Sequence, residues 1–193
     1  MRQLDLGPGE ALLHEGDPAR CAVLLPGVAY FSQAPLLWFA REAAQREGWS
    51  VLELTERAPA REDPVAWMRD RAGRALEAAG ESATAVMVIG KSLASTAADL
   101  VAEGDRPAVW LTPLLNRPEV VDALEASGAP ALLVGSPADP SWGDGEVPHR
   151  DGLEVLKLDG LDHSLQVEGD PAGSLDVLAR VTERVGAFIA KLG

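Results

Sequence analysis

Two hydrophobic periods alternate along this 193-residue chain. Largely apolar runs at 21–25, 51–54, 83–89, 108–111 and 131–134 read as strands, since a strand covered on both faces shows no polar side. The stretch 153–158 reads as one more strand. Between them the apolar positions fall at helical spacing. Residues 34–45 carry Leu36, Leu37, Phe39, Ala40, Ala43 and Ala44 on this pattern, with Gly48 as a stop. Asp63 can cap a helix with Pro64 in its first position, running to Ala79 before Gly80. Further helices are expected at 93–102, at 118–126 before Gly128, and at 174–191, where Leu175, Leu178, Val181, Val185, Phe188 and Ile189 form the apolar stripe. Two short strands are possible at 2–6 and 10–14, parted by Gly and Pro.

From Cys21 onward strand and helix alternate. That order predicts an α/β fold, with a mostly parallel central sheet and helices on both faces. A chain of this length fits a single domain over 1–193 and can bury a substantial core. The stretch 136–152, rich in Pro, Gly and Asp, is the longest irregular segment. Loops of that kind in compact domains are usually functional or mobile.

Composition narrows the function classes. The formal net charge of −13 opposes binding to a phosphate backbone or to an anionic membrane surface. No apolar run approaches the roughly 20 residues that span a bilayer. The first residues lack the apolar centre of a secretion signal, so a cytoplasmic location is expected. Cys21 is the one cysteine, which leaves no intrachain disulfide and no thiolate metal site. It opens an apolar strand and is expected to be a packed thiol. Neither a cofactor nor a metal is called for by any motif.

Sites in open parallel sheets form beyond the carboxyl ends of the strands. Ser92 follows the apolar run 83–89 and precedes a helix. Asp139 follows 131–134, and His163 follows 153–158 after a short turn. A hydroxyl, a carboxylate and an imidazole are thus expected along one edge, in the chain order Ser, Asp, His. His14 and His149 are expected to be surface residues, and Lys91 to be solvated beside Ser92. Asp162 adjoins His163, but its side chain would point away from the ring. Asp144 is the alternative acid.

In that order, and across nearly the full length, the chain resembles a small α/β-hydrolase without a lid, similar to the dienelactone-hydrolase-like members. The match rests on Gly90-Lys91-Ser92-Leu93-Ala94 for the turn that bears the nucleophile, Gly135-Ser136-Pro137-Ala138-Asp139-Pro140 for the acid loop and Leu161-Asp162-His163-Ser164-Leu165 for the histidine loop. Pro26-Gly27-Val28 resembles the loop that completes the oxyanion hole. Two positions depart from the family pattern. Ala94 stands where Gly is usual, and Pro26 where His is usual. The resemblance implies Ser92 as nucleophile, His163 as its base and Asp139 as the group that orients His163. It implies the backbone amides of Val28 and Leu93 as oxyanion donors. Only residues 112–117 separate the strand 108–111 from the next helix, so no lid is expected. Tyr30, Phe31, Pro113, Leu114 and Trp142 are candidates to line a shallow acyl pocket.

The implied activity is hydrolysis of a small carboxylic ester, thioester or lactone through an acyl-serine. The partner would be a small acyl substrate, with no nucleic acid and no membrane. Two other readings stand beside it: an acyltransferase using the same serine, and a non-catalytic binding or interaction module on the same scaffold. Ser92 as a plain helix cap is the structural alternative for the nucleophile. Gly90-Lys91-Ser92 also matches the end of a phosphate-binding loop. That motif needs Gly at position 85, where this chain has Ala inside a strand.

Overall fold

The computed structural model describes residues 1–7, 10–56, 63–143 and 147–193. Eight strands form one sheet: β1 (Arg2–Asp5), β2 (Glu10–His14), β3 (Asp17–Leu25), β4 (Trp49–Leu54), β5 (Ala85–Lys91), β6 (Ala108–Leu111), β7 (Ala131–Gly135) and β8 (Leu153–Lys157). Their spatial order is β1-β2-β4-β3-β5-β6-β7-β8. The six strands from β4 to β8 in that order run parallel. The hairpin β1–β2 adds two antiparallel strands at one edge, with β2 paired to β4.

Five α-helices cover the faces: α1 (Pro35–Arg46), α2 (Pro64–Ser82), α3 (Ala98–Glu103), α4 (Pro118–Ala126) and α5 (Pro171–Ile189). Side chains alternate across the sheet, so each central strand feeds two cores. Val23, Leu25, Val88 and Leu133 face α2, α3 and α4. Leu24, Met87, Ile89, Val109 and Leu132 face α1 and α5, where Leu37, Ala44, Val185 and Phe188 meet them. The parallel α/β sheet covered on both faces is the expected one. No helical segment is inserted between β6 and α4; residues 112–117 join them directly.

The ends of the elements differ from the sequence expectations in instructive ways. Gly80 lies inside α2 and does not stop it. The helix continues until Ala83 turns extended at φ −107° and ψ 141° to enter β5. The last helix begins earlier than expected, because the carboxylate of Asp170 accepts from Gly173 N ahead of Pro171. This is the same Asp-Pro start that Asp63 and Pro64 provide for α2. The helix expected at 93–102 is split into a 3-10 helix, Ser92–Ala97, and the short α3.

The strand order reverses at β3, with β4 on one side of it and β5 on the other. The connections that leave the paired carboxyl ends of β3 and β5 therefore go to opposite faces of the sheet, and a crevice opens between them. Phe188, 2% exposed, wedges α5 against the sheet. Phe188→Ala is expected to lower the unfolding free energy by about 3–5 kcal/mol, read as a shift of the urea midpoint at constant slope. A shift near zero would show that α5 is not part of the cooperative core.

Candidate active site

Ser92 stands at the mouth of that crevice, directly after β5. Its φ of 53° puts it in the left-handed region, one of four non-glycine residues there among those described. Such a conformation costs an L-residue roughly 1–2 kcal/mol. The surroundings enforce it. The 3-10 helix folds straight back from the strand, held by Ser95 Oγ to Ser92 O and Thr96 Oγ1 to Leu93 O, each 2.7 Å. So tight a reversal leaves little room behind it. A Cβ at Gly90 would lie 2.7 Å from Trp110 Cζ3 and 2.9 Å from Ala94 Cβ. Trp110 and Ala94 together thus account for the glycine at 90, and the close approach of Ala94 to it favours a small residue at 94, where the family pattern has Gly. Ser92 does not cap the helix with its side chain. Its Oγ lies 2.7 Å from His163 Nε2.

The imidazole is held from behind. His163 Nδ1 is 2.6 Å from Asp139 Oδ2. Asp139 is 1% exposed, and its other oxygen accepts from Ser141 N at 2.9 Å, capping the turn Pro140–Trp142. Asp162 does not touch the ring. Its Oδ1 accepts from Ser164 N and Gln166 N and braces the histidine loop. A further brace lies in Ser136, whose role the motif did not reveal. This fully buried Oγ accepts from Ala138 N and from Leu161 N, and so ties the acid loop to the histidine loop. Asp144 lies outside the described residues. The structure therefore brings Ser92, His163 and Asp139 into one hydrogen-bonded row.

The loop 26–34 passes in front of Ser92. A Cβ at Gly27 would come within 3.5 Å of Ser92 Cβ, and Gly27 N donates to Tyr30 O at 3.0 Å in a tight turn. Val28 follows, with a side chain 51% exposed, while Leu93 beside the serine is buried. Of the candidate lining residues, Phe31 is exposed and Leu114 half-buried. The Leu114 amide donates to Ser95 Oγ on the 3-10 helix. Trp142 is not available to a substrate. It is fully buried and lies flat over Gly135, where a Cβ would meet its ring at 2.1 Å. The Gly135 position lets the indole pack against β7 and support the acid loop from below. Tyr30 is half-buried. Its hydroxyl accepts from Leu36 N at the start of α1. Together with Leu36, Asp162, Ser164, Ser174 and Leu178 it lines a cleft of about 710 Å³ on the outer side of the histidine loop.

Two sequence expectations about polar residues are corrected here. Lys91 is 1% exposed, not solvated. Being two residues beyond Ile89, it points to the same face and enters the α1/α5 side of the molecule. Its Nζ donates to Thr112 Oγ1 and to His163 O, both at 3.1 Å, and lies 4.5 Å from the centre of the Tyr30 ring. Burial pushes its pKa down to about 8, against the pull of Asp139 and Asp162. His14 is not a free surface residue either. Its Nε2 is 2.6 Å from Glu53 Oε2, which also accepts from Arg41 Nη1, while Glu53 Oε1 accepts from Gln33 Nε2 at 2.6 Å. Burial would raise the Glu53 carboxyl, but hydrogen bonds from its neighbours hold it below the usual carboxylate range. Because Gln33 belongs to the loop 26–34, this buried cluster anchors that loop from its far end. The motif search could not find it, since its members lie on β2, β4, α1 and a loop. Cys21 is buried as expected, and burial pushes its thiol up to about 11. His149 is exposed.

Among the described residues no group of three or more His, Cys, Asp or Glu side chains could hold a metal ion, and no helix is long and apolar enough to cross a membrane.

No family profile matches the sequence, and no curated protein matches it. Solved structures do. Est1E from Butyrivibrio proteoclasticus, determined with ferulic acid bound, superposes with a TM-score of 0.75 over 99% of this chain and 98% of its own, at 14% identity. An α/β serine hydrolase without a lid from Xanthomonas campestris gives 0.71 over 99% and 93%, at 13% identity. Dienelactone hydrolase from Anabaena variabilis gives 0.69 over 94% of each chain, at 15% identity. The chain has the lidless α/β-hydrolase fold.

Lys91 also makes a prediction about stability. It is a base whose folded-state value lies below its ordinary 10.5. Between about 8 and 10.5 the unfolded chain therefore holds this proton and the folded chain does not, so this group's contribution to stability rises with pH across that window. Cys21 and Tyr30, both shifted upward, act in the opposite sense at alkaline pH. The Cys21 contribution cancels when the wild type is compared with Lys91→Met, and making the comparison in a Tyr30→Phe background removes that of Tyr30, whose ring Lys91 touches. The stability of the wild type relative to Lys91→Met should increase by up to roughly 3 kcal/mol from pH 7.5 to 10.5, measured by urea unfolding at each pH. A flat difference would mean that the ammonium is not desolvated.

Proposed function

We propose that the protein is a serine hydrolase that cleaves a small carboxylic ester, thioester or lactone through an acyl-serine. The observation that carries this reading is the unbroken row Ser92 Oγ–His163 Nε2, His163 Nδ1–Asp139 Oδ2, at 2.7 and 2.6 Å, ending on a serine held in a left-handed turn. His163 takes the hydroxyl proton as Oγ attacks the carbonyl carbon, and buried Asp139 fixes the ring and stabilises the imidazolium. The amides of Leu93 and Val28 receive the negative charge on the carbonyl oxygen. One such donor is typically worth about 3 kcal/mol in the transition state. The tetrahedral intermediate collapses as His163 passes its proton to the leaving oxygen or sulfur. Water, deprotonated by His163 in turn, then attacks the acyl carbon, and as the bond to Oγ breaks His163 returns the proton to Ser92 and the acid is released.

The absence of a lid supports water as the acceptor. The side chain of His163 is 36% exposed, and the short link 112–117 leaves solvent a direct path to the acyl group. The apolar residues Phe31 and Leu114 and the aliphatic Val28 suit an uncharged acyl group. The neighbours described with ferulic acid and as a dienelactone hydrolase agree with small ester and lactone substrates.

A fluorophosphonate probe is expected to add to Ser92 in the intact protein. Turnover of p-nitrophenyl esters graded by chain length should fall by about 10³-fold or more in Ser92→Ala and also steeply in Asp139→Asn. Wild-type rates in Ser92→Ala, or labelling that persists in that variant, would overturn the proposal.

A further inference from the structure

We propose that Lys91 is a positioning residue of this site, one buried ammonium that holds the histidine loop, the end of β6 and the loop before α1 in register above the sheet. The inference rests on the hydrolase reading and deepens it. An ammonium has three donor hydrogens, and Lys91 has three partners. Two are oxygens, His163 O and Thr112 Oγ1, each 3.1 Å away. The third is the face of Tyr30, with Nζ 4.5 Å from the ring centre. Each partner belongs to a different segment that the site needs. His163 carries the base, and its carbonyl is fixed by Lys91 while its ring is fixed by Asp139. Thr112 sits at φ 45°, at the point where β6 leaves the sheet. Tyr30 closes the turn that begins at Gly27, which faces Ser92. Lys91 itself is the residue before Ser92. A single side chain thus spans the nucleophile turn and both loops that must meet it.

The choice of residue supports a role beyond filling space. A methionine has nearly the same volume and would occupy the pocket without burying a charge. None of the three partners is a carboxylate, so no direct ion pair offsets the desolvation. The charged groups that face the ammonium are Asp139 and Asp162, from the loops after β7 and β8. The titratable His163 and Tyr30 lie against it. The ammonium touches no reacting atom, so it acts through His163 and through the loop 26–34.

Loss of the proton removes the attraction to the Tyr30 ring and loosens this register. The wild type should therefore lose kcat/KM on an alkaline limb centred near 8. Lys91→Met should lower kcat by about 10- to 100-fold at pH 7 with little change in KM, and should lack that limb. Hydrogen exchange in the segments 26–34 and 159–166 should quicken relative to the wild type, while exchange in β5 and β6 stays the same. Thr112→Val keeps the charge but removes one acceptor of the charged form, so it should move the limb to lower pH. This second variant decides the matter if Lys91→Met does not fold. An unchanged limb in both variants, or equal kcat and equal loop exchange in Lys91→Met, overturns the proposal. If the wild type neither takes the fluorophosphonate nor turns over any ester, the hydrolase reading fails instead, and the loop exchange still judges Lys91.

Discussion

The reversal of the chain at Ser92 is the constraint on which the site depends. A strand must end, turn and restart as a helix within a few residues, with the tip residue at φ 53°. A serine does not adopt that conformation unless its neighbours leave no other. Gly90 supplies the space, because a Cβ there would meet Trp110 on the adjacent strand and Ala94 on the 3-10 helix. Gly27 lies on the opposite side, where a Cβ would stand in ordinary van der Waals contact with Ser92 at 3.5 Å. The turn holds the hydroxyl beyond the end of β5, where His163 Nε2 meets it at 2.7 Å. Geometry of this kind costs stability locally and is kept where a reactive group must stand clear of the sheet.

The supports around the turn follow one rule: each loop is tied down by a buried polar group at its base. Ser136 joins the acid loop to the histidine loop. Glu53, with His14 and Arg41, secures Gln33 at the end of the loop 26–34. Lys91 joins the histidine loop to Tyr30. Buried polar groups stabilise little on balance, yet each is costly to leave unsatisfied. A loop that slipped would strand one of them. Hydrophobic contacts are less directional and would tolerate small displacements of the loops. Hydrogen-bonded anchors do not, and the row of Ser92, His163 and Asp139 spans contacts of only 2.6 and 2.7 Å.

The fold was legible because periodicity is a local property. The parallel strands and the helices were visible as runs and stripes, and the residues projecting from one sheet edge followed from the order of elements. What was not legible is what tertiary partners decide. Lys91 looked solvated because lysine usually is, although the alternation of Met87, Ile89 and Lys91 already placed it on a covered face. Trp142 looked like a pocket wall because it sits in an irregular loop, but the missing Cβ of Gly135 made room for it inside. His14 gave no sign of Glu53, which lies 39 residues away on β4. Gly80 suggested a stop, yet its φ is not positive, so the chain takes no left-handed step there and α2 runs on to Ser82.

These misreadings share a cause that bears on how the site is built. For Lys91, His14 and Trp142 a polar or aromatic side chain expected at the surface or in a pocket wall is in fact covered by a neighbouring segment. No helical segment between β6 and α4 covers the row of Ser92, His163 and Asp139. Order must come from beneath. The Lys91 ammonium, the Asp139 carboxylate and the Trp142 indole are all buried beneath these loops. An open site of this kind trades enclosure of the substrate for rigid loops at its rim. The side chains that the loop 26–34 leaves exposed beside that row include Val28 and Phe31.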